Sequence, residues 1–375
     1  MPLNRAQRQK LKSIFHIGIY WAIANVVFSI HNHIFLLSTQ SSGFEQYDFW
    51  VTLVTNILVI PVAAFLAGGT IVYFIKEHVR RLPLWLALLA DTVIIVVLIV
   101  LITIPGSMLY NSLFYRLYPW DNWVVVKTWE FFFSYGLLYI VFFWSFVSAV
   151  TLVALQVGEK YGPGNFIKLL RGKYYRPKVE KRVFMFLDIR SSTAIAEKLG
   201  HEKWFALLND FFNDITEPII NNEGEIYQYV GDEVIISWPF DRGFSNRNCI
   251  NCFFDITNMM EARANDYFDR YGVVLTFKAA IHSGQVAVGE IGKIKKDIIF
   301  TGDVLNTTSR IQDLCNTYRA DLLVSQDVLD KIDSVIGFDV IHMGFVELRG
   351  RNQPVSVFQI RPSTYNALAA QSLVG

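Results

Sequence analysis

Four stretches of this sequence, about 14–37, 49–74, 84–109 and 130–156, carry almost no charge. Each is long enough to cross a hydrocarbon layer of roughly 30 Å. Asp91 and Glu130 are the only acids inside them. In such a layer the backbone satisfies its polar groups inside helices or closed barrels alone. The apolar runs therefore predict a four-helix transmembrane domain over 1–157. The chain's 53% hydrophobic content is concentrated there. The first stretch is too long for a signal-peptide core, and no small-residue cleavage site follows it, so it reads as a span.

Basic residues set the expected orientation. Arg5, Arg8, Lys10 and Lys12 precede the first span; Lys76, Arg80 and Arg81 follow the second; eight Lys and Arg between 160 and 182 follow the fourth. The two other loops carry Arg116 and Lys127. The positive-inside rule then predicts a multi-pass protein of the cell membrane with both termini and the large C-terminal domain in the cytoplasm. Tyr110, Tyr115, Tyr118, Trp120, Trp123 and Trp129 crowd the second outer loop, as an interfacial belt does. His31 and His33 point to nearly opposite helix faces, which excludes one shared metal ion within a chain.

A linker over 158–181 follows, with a short basic amphipathic helix expected at 165–175. The stretch 182–361 reads as one globular domain and 362–375 as a frayed tail. A net charge of +1 gives no field for nucleic acid, and none is expected as a partner. Three cysteines, two of them in a lone C-x-x-C, make a disulfide framework or a zinc site a poor reading.

The chemistry is carried by RVFMFLDIRSS, residues 182–192. Val183–Leu187 fits a buried strand that delivers Asp188 to its end, and a polar turn and a helix follow. Backbone N–H groups at such a helix start, beside an acid, can hold metal and phosphate together. In EIYQYVGDEVIISW, residues 225–238, two apolar runs flank Gly231-Asp232 and predict a hairpin with Asp232 at its tip. Downstream, Phe205, Leu208, Phe212, Ile215 and Ile219 step at helical spacing, and Asn248–Tyr271 reads as one further helix. Val273–Ile281 and Gln285–Ile291 read as two short strands around the turn His282-Ser283-Gly284, and Asp297–Thr301 as another strand. Asn306 and Arg310, four apart, share a helix face. A guanidinium beside an amide suits an α-phosphate whose charge grows in a transition state. Strands at 322–325, 338–348 and 355–360 complete an α+β fold, helices packed on a mainly antiparallel sheet.

FLDIRSST, YVGDEVIISW, AAIHSGQVAVGEIG and FTGDVLNTTSRI, in this order, resemble the four motifs of the class III nucleotidyl cyclases, the catalytic domain of adenylate and guanylate cyclases. The resemblance covers roughly 180–361 and implies a ferredoxin-like fold. It implies that Asp188 and Asp232, with the Ile189 carbonyl, bind two Mg2+ or Mn2+ ions per site. Arg190, Ser191, Ser192, Thr193 and Gly231 would then surround the phosphates of ATP. Asn306 would orient the ribose and Arg310 would stabilise the transition state as the 3′-OH attacks the α-phosphate. It further implies a homodimer with active sites at the subunit interface. The base-reading positions hold Gln228 and Ile299, where adenylate cyclases usually have lysine and aspartate or threonine and guanylate cyclases have glutamate first. Glutamine can pair with an adenine edge as donor and acceptor. A guanylate cyclase and a non-catalytic nucleotide receptor are the alternatives. The family's phosphate-binding lysine near the end has no match; Arg349 or Arg351 stands nearest its place.

Overall fold

A computed structural model describes residues 5–39, 48–73, 83–161, 172–294, 296–332, 334–346 and 354–363. The chain forms two compact units, Met1–Lys160 and Tyr161–Gly375. The first is helical: α1 (Arg5–Thr39), α2 (Phe49–Gly69), α3 (Leu84–Tyr115), α4 (Asn122–Phe132) and α5 (Tyr135–Tyr161). Among the described residues, four segments, Lys10–Ile34, Phe49–Tyr73, Trp85–Tyr115 and Tyr135–Gly158, are long and apolar enough to cross a membrane. Small and apolar side chains such as Ile17, Ala64, Ala67, Ala87 and Leu152 are buried between helices, while Phe15, Trp50, Leu101 and Phe142 are exposed. Asp91 points inward and accepts a 2.8 Å hydrogen bond from the Ser148 hydroxyl. Glu130 lies outside the fourth span, contrary to expectation. The Asp121 carboxylate accepts from the Trp123 N–H and starts α4 as a separate helix. Ser134, which donates to the Phe131 carbonyl and accepts from the Gly136 N–H, ends it before α5. Glu130 there pairs with Lys127 at 2.7 Å.

The second unit is built on one sheet. Its strands are β1 (Lys178–Ile189), β2 (Glu225–Val230), β3 (Glu233–Pro239), β4 (Phe277–Ile291), β5 (Asp297–Thr301), β6 (Leu322–Ser325), β7 (Phe338–Val346) and β8 (Val355–Pro362). They run in the order β2-β3-β1-β4-β6-β8-β7, with β5 paired to β4. Among the described residues, the β4–β6 pairing is parallel and the other pairings are antiparallel. The helices are α6 (Ser192–Leu199), α7 (His201–Asp214), α8 (Thr216–Asn221), α9 (Phe240–Phe244), α10 (Asn248–Ala262), α11 (Ala264–Tyr271), α12 (Asp303–Tyr318) and α13 (Gln326–Leu329).

Val183–Leu187 is an unbroken apolar run because both faces of β1 are covered. Val183, Met185, Leu187 and Ile189 join Leu207, Phe211, Ile250 and Phe253 from the helices on one face. Phe184 and Phe186 pack on the other face with Ile235, Val286 and Val304. On that second face α12 also buries Ile311 and Cys315 against Ala280 and Leu323.

Besides Glu130, four expectations are corrected. His282-Ser283-Gly284 is not a turn: β4 is continuous through it and pairs with β1 at Arg182, Val183 and Phe184. The glycine serves close approach, since a Cβ at 284 would lie 2.6 Å from Val304 Cγ2 on α12. The 248–271 helix is broken at Arg263, whose φ of −104° and ψ of 7° leave the helical region. The buried stripe of α7 and α8 is Leu207, Phe211, Ile215 and Ile219, and Phe205 is 75% exposed. Finally, Gly172–Tyr175, expected as the last turn of the 165–175 linker helix, is a turn and bend with φ of 61° at Gly172, and 162–171 lie outside the described residues.

Candidate active site

The end of β1 is where the sheet becomes polar on the α12 face. Asp188 follows Phe184 and Phe186 on that face, by the two-residue period of a strand. Its cross-strand partner on β4 is Lys278. On the other side the register Leu187↔Val234, carried one step further, sets Glu233 opposite Asp188. A carboxylate, a carboxylate and an ammonium therefore form a row across three strands. Lys278 Nζ lies 3.1 Å from Asp188 Oδ2. Asp232 stands beside this row at the hairpin tip, where Gly231 takes the positive φ of 66° that the turn requires.

Asp232 acts on Asp188 through hydrogen bonding and charge, so the structure brings the expected acid pair together. Burial, then the shared bond and charge of Asp232, push the Asp188 carboxyl up to about 6 against the pull of Lys278. Glu233 is pushed up to about 7, by burial first; the Gln312 amide opposes this, and the charges of Asp188 and Asp232 add to it. Carboxylates held this close repel each other, and a cation between them relieves the repulsion. Lys278 supplies one positive charge there now. The oxygen-only donor set suits a hard divalent ion.

The turn after β1 leads to the start of α6. Ser191 adopts φ of 56°, Ile195 N–H donates to the Ser191 carbonyl, and the first-turn N–H groups of Ser192 and Thr193 lie at the helix start. Ile189 is buried. Arg190, expected beside substrate, is committed elsewhere. Its N–H donates to the Thr276 carbonyl at 2.9 Å. Its guanidinium donates to the Phe277 carbonyl at 3.2 Å, the Ala320 carbonyl at 2.6 Å and the Asp321 carboxylate at 2.9 Å. It is a clamp between β1 and the segments flanking β4 and β6.

Asn306 and Arg310 lie on α12, the first exposed and the second half-buried. Gln312, 5% exposed on the sheet-facing side of the same helix, acts on Glu233. At about 100° per residue, Arg310 is about 200° and Asn306 about 240° around the helix from Gln312. The Asn306–Arg310 face is thus turned away from this chain's own acids. Gln228 is exposed on β2 and Ile299 half-buried on β5. Their strands are joined next door, where the Phe300 N–H donates to the Tyr227 hydroxyl at 3.1 Å. Arg349 lies outside the described residues. Lys278 and Glu233 escaped the sequence reading. The visible signal was a lysine inside the otherwise apolar strand start FKAAI.

A sheet that ends in an acid pair beside a helix start is a geometry that suits phosphate chemistry. Residues 174–362 match the adenylate and guanylate cyclase catalytic domain, and the chain belongs to this family. Members of the family use divalent metal ions. The chain is 34% identical over 228 residues to adenylate cyclase 2 of Rhizobium meliloti (strain 1021), covering 61% of this chain and 63% of that protein. It is 26% identical over 188 residues to adenylate cyclase 1 of the same organism, covering 47% of this chain and 27% of that one. It thus spans less than two thirds of the length of these relatives. Among solved structures, a bacterial light-regulated adenylyl cyclase has the same fold, with a TM-score of 0.50 at 21% identity over 61% of this chain and 67% of that one.

Proposed function

We propose that this chain is a membrane-anchored adenylate cyclase that converts ATP to 3′,5′-cyclic AMP and pyrophosphate for intracellular signalling. The observation that carries the reading is the convergence of Asp188 and Asp232 around a charge that Lys278 now balances. The bilayer would hold the four apolar helices, with both termini and the catalytic domain on the cytoplasmic side. The preference for ATP rests on relatives named adenylate cyclases and on the two-way hydrogen bonding of Gln228, with Ile299 packing on the base.

Two magnesium or manganese ions held by Asp188, Asp232 and the Ile189 carbonyl would neutralise the triphosphate and lower the pKa of the ribose 3′-OH. The N–H groups of Ser192 and Thr193 at the α6 start, with Ser191 and Gly231 nearby, offer donors to phosphate oxygens. Lys278, released from Asp188, adds an ammonium there. The 3′-oxygen bonds to the α-phosphorus, the bond to the β-phosphate oxygen breaks, pyrophosphate leaves, and the 3′-OH proton passes to solvent. Asn306 fixes the ribose, and the Arg310 guanidinium takes up charge that grows on the α-phosphate.

Since Asn306 and Arg310 face away from their own acids, they serve the acids of a second copy. A head-to-tail dimer with a two-fold axis then has two equivalent sites. Asp188→Ala and Arg310→Ala chains, each inactive alone, should complement each other. In a mixed dimer one site collects both lesions and the other neither, so random pairing should return about a quarter of wild-type activity. No recovery in confirmed mixed dimers would place each site within one chain.

A further inference from the structure

Arg182 is a charged residue only 2% exposed, and the reaction above makes no use of it. By the alternation of β1 it lies on the α12 face with Phe184 and Phe186. Its Nη2 donates to Glu225 Oε2 on β2 at 2.5 Å, and its Cζ lies 4.7 Å from the centre of the Phe300 ring on β5. Three strands separate β2 from β5 in the sheet. At about 4.8 Å per step, a flat sheet would hold them about 19 Å apart. Here they meet over β1. The Tyr227 hydroxyl accepts from the Phe300 N–H, and the two rings are 4.8 Å apart. Phe184 of β1 completes the cluster, 6.5 Å from Tyr227 and 5.5 Å from Phe300. The sheet is therefore curled, and Arg182 holds both of the strands that meet. Burying a guanidinium is costly, and apolar side chains fill such a space as well. What Arg182 adds is a fixed geometry, a planar fork for a carboxylate with a face for a ring.

The strand that Arg182 holds through Glu225 is irregular. Ile226 pairs with Ile236 and Gln228 with Ile235, so Tyr227 is an extra residue in β2. Ile226 packs on the helix side of the sheet with Ile236. Strict alternation would send Gln228 to that side too. The bulge sets it opposite Ile235, which belongs to the cluster of Phe184 and Phe186 on the α12 face. Bulges re-aim side chains in this way beside active sites. The extra residue, Tyr227, is the one joined to Phe300, and Ile299 immediately precedes Phe300.

We propose that Arg182 is a positioning residue for base recognition: by tying Glu225 of β2 to Phe300 of β5 it keeps the sheet curled, and the curl sets the bulged Gln228 and Ile299 at one base pocket. This rests on the base-reading role given to Gln228 and Ile299 above. Asp188 lies six residues and about 20 Å further along β1, so the metal site is left out of this effect.

The test uses the full-length protein with manganese and either ATP or GTP. Arg182→Met keeps the length of the side chain and removes the fork; Glu225→Gln is made with it so that no carboxylate is left unpaired. The expected result is a KM for ATP about tenfold higher and an ATP/GTP ratio of kcat/KM about fivefold closer to one, with the KM for manganese within about twofold. A merely destabilising change would lower the yield of folded protein and leave the ratio where it was. Arg182→Lys, alone, keeps the charge beside Glu225 without the flat fork over Phe300, and its ratio should fall between the two. The double substitution is then repeated in a Gln228→Ala chain. There it should leave the ratio unchanged, because the side chain that it positions is gone. If the double variant does not accumulate, Tyr227→Phe removes one hydroxyl from the curl and should raise the KM for ATP about threefold, with the same shift in direction. A wild-type ratio in the double variant, or in Tyr227→Phe where that replaces it, overturns the positioning role while the cyclase reading stands. A shift of the same size in the Gln228→Ala chain does so too. A wild-type ratio in Gln228→Ala itself removes Gln228 from the base pocket, and this inference with it. No cyclic nucleotide from the wild-type protein overturns both readings.

Discussion

Gly284→Ala adds one methyl group at the point where α12 touches the sheet. The new Cβ would lie 2.6 Å from Val304 Cγ2, whereas carbon atoms rest at about 3.5–4.0 Å, so something must yield by about 1 Å. Val304 is buried and, as a β-branched residue in a helix, is close to locked at χ1. The helix itself has to move. Overpacking of this kind costs about 1–3 kcal/mol. Alanine in a strand returns about 0.5–1 kcal/mol over glycine. A net loss near 1 kcal/mol lowers the unfolding midpoint of a domain this size by about 2–4 °C. The rate should suffer more, because Asn306 lies two residues beyond Val304, and a 1 Å misplacement can cost about 100-fold. Thermal unfolding of the full chain in detergent and cyclic AMP formation at a permissive temperature read the two effects. Val304→Ala in the same chain removes the clashing methyls and should restore most of the rate. A Gly284→Ala protein with wild-type midpoint and rate would refute the packing argument.

Three further outcomes follow from the site. Arg190→Ala should lower stability by about 1–3 kcal/mol by leaving the Phe277 and Ala320 carbonyls short of donors, while KM for ATP stays within about twofold at permissive temperature; a large rise in KM would return Arg190 to the substrate site. Gln228→Lys should favour ATP and Gln228→Glu should move preference toward GTP, read as ratios of kcat/KM; unchanged ratios in both would remove Gln228 from the base pocket. Asp188 and Glu233 hold protons more tightly folded than unfolded. Their contribution to metal-free stability is therefore full below their ordinary values of 3.8 and 4.5 and is lost as pH rises through about 6 and about 7. Manganese should accordingly raise the unfolding midpoint more at pH 8 than at pH 5, and equal shifts would contradict the charge inventory of the site.

Much of the site was legible because local pattern and chemistry coincide there. The apolar run before Asp188, the Gly231-Asp232 turn, the bounds of β5 and the Asn306–Arg310 spacing are short-range signals, and the structure gives each the expected element. The misses are long-range. Gly284 looked like a turn former because nothing in the sequence shows a helix pressing on that strand. The Glu233–Asp188–Lys278 row exists only once three strands are in register. Arg190 finds its acceptors about 90 and 130 positions away. The Phe205 stripe steps alternately by three and four, while the buried residues of α7 and α8 recur every four.

On the proposed function, Asp188 and Asp232 together turn ATP into a cyclic nucleotide. The purified full-length protein is incubated with manganese and ATP labelled in parallel at the α- and the γ-phosphate, and the products are separated. Cyclic AMP and pyrophosphate should form in equal amounts, with Asp188→Ala and Asp232→Ala proteins of wild-type fold each retaining less than about a tenth of the rate, a loss above roughly 1.4 kcal/mol of transition-state stabilisation. Nucleotide bound without turnover by the wild-type dimer, or full activity in either variant, would contradict it.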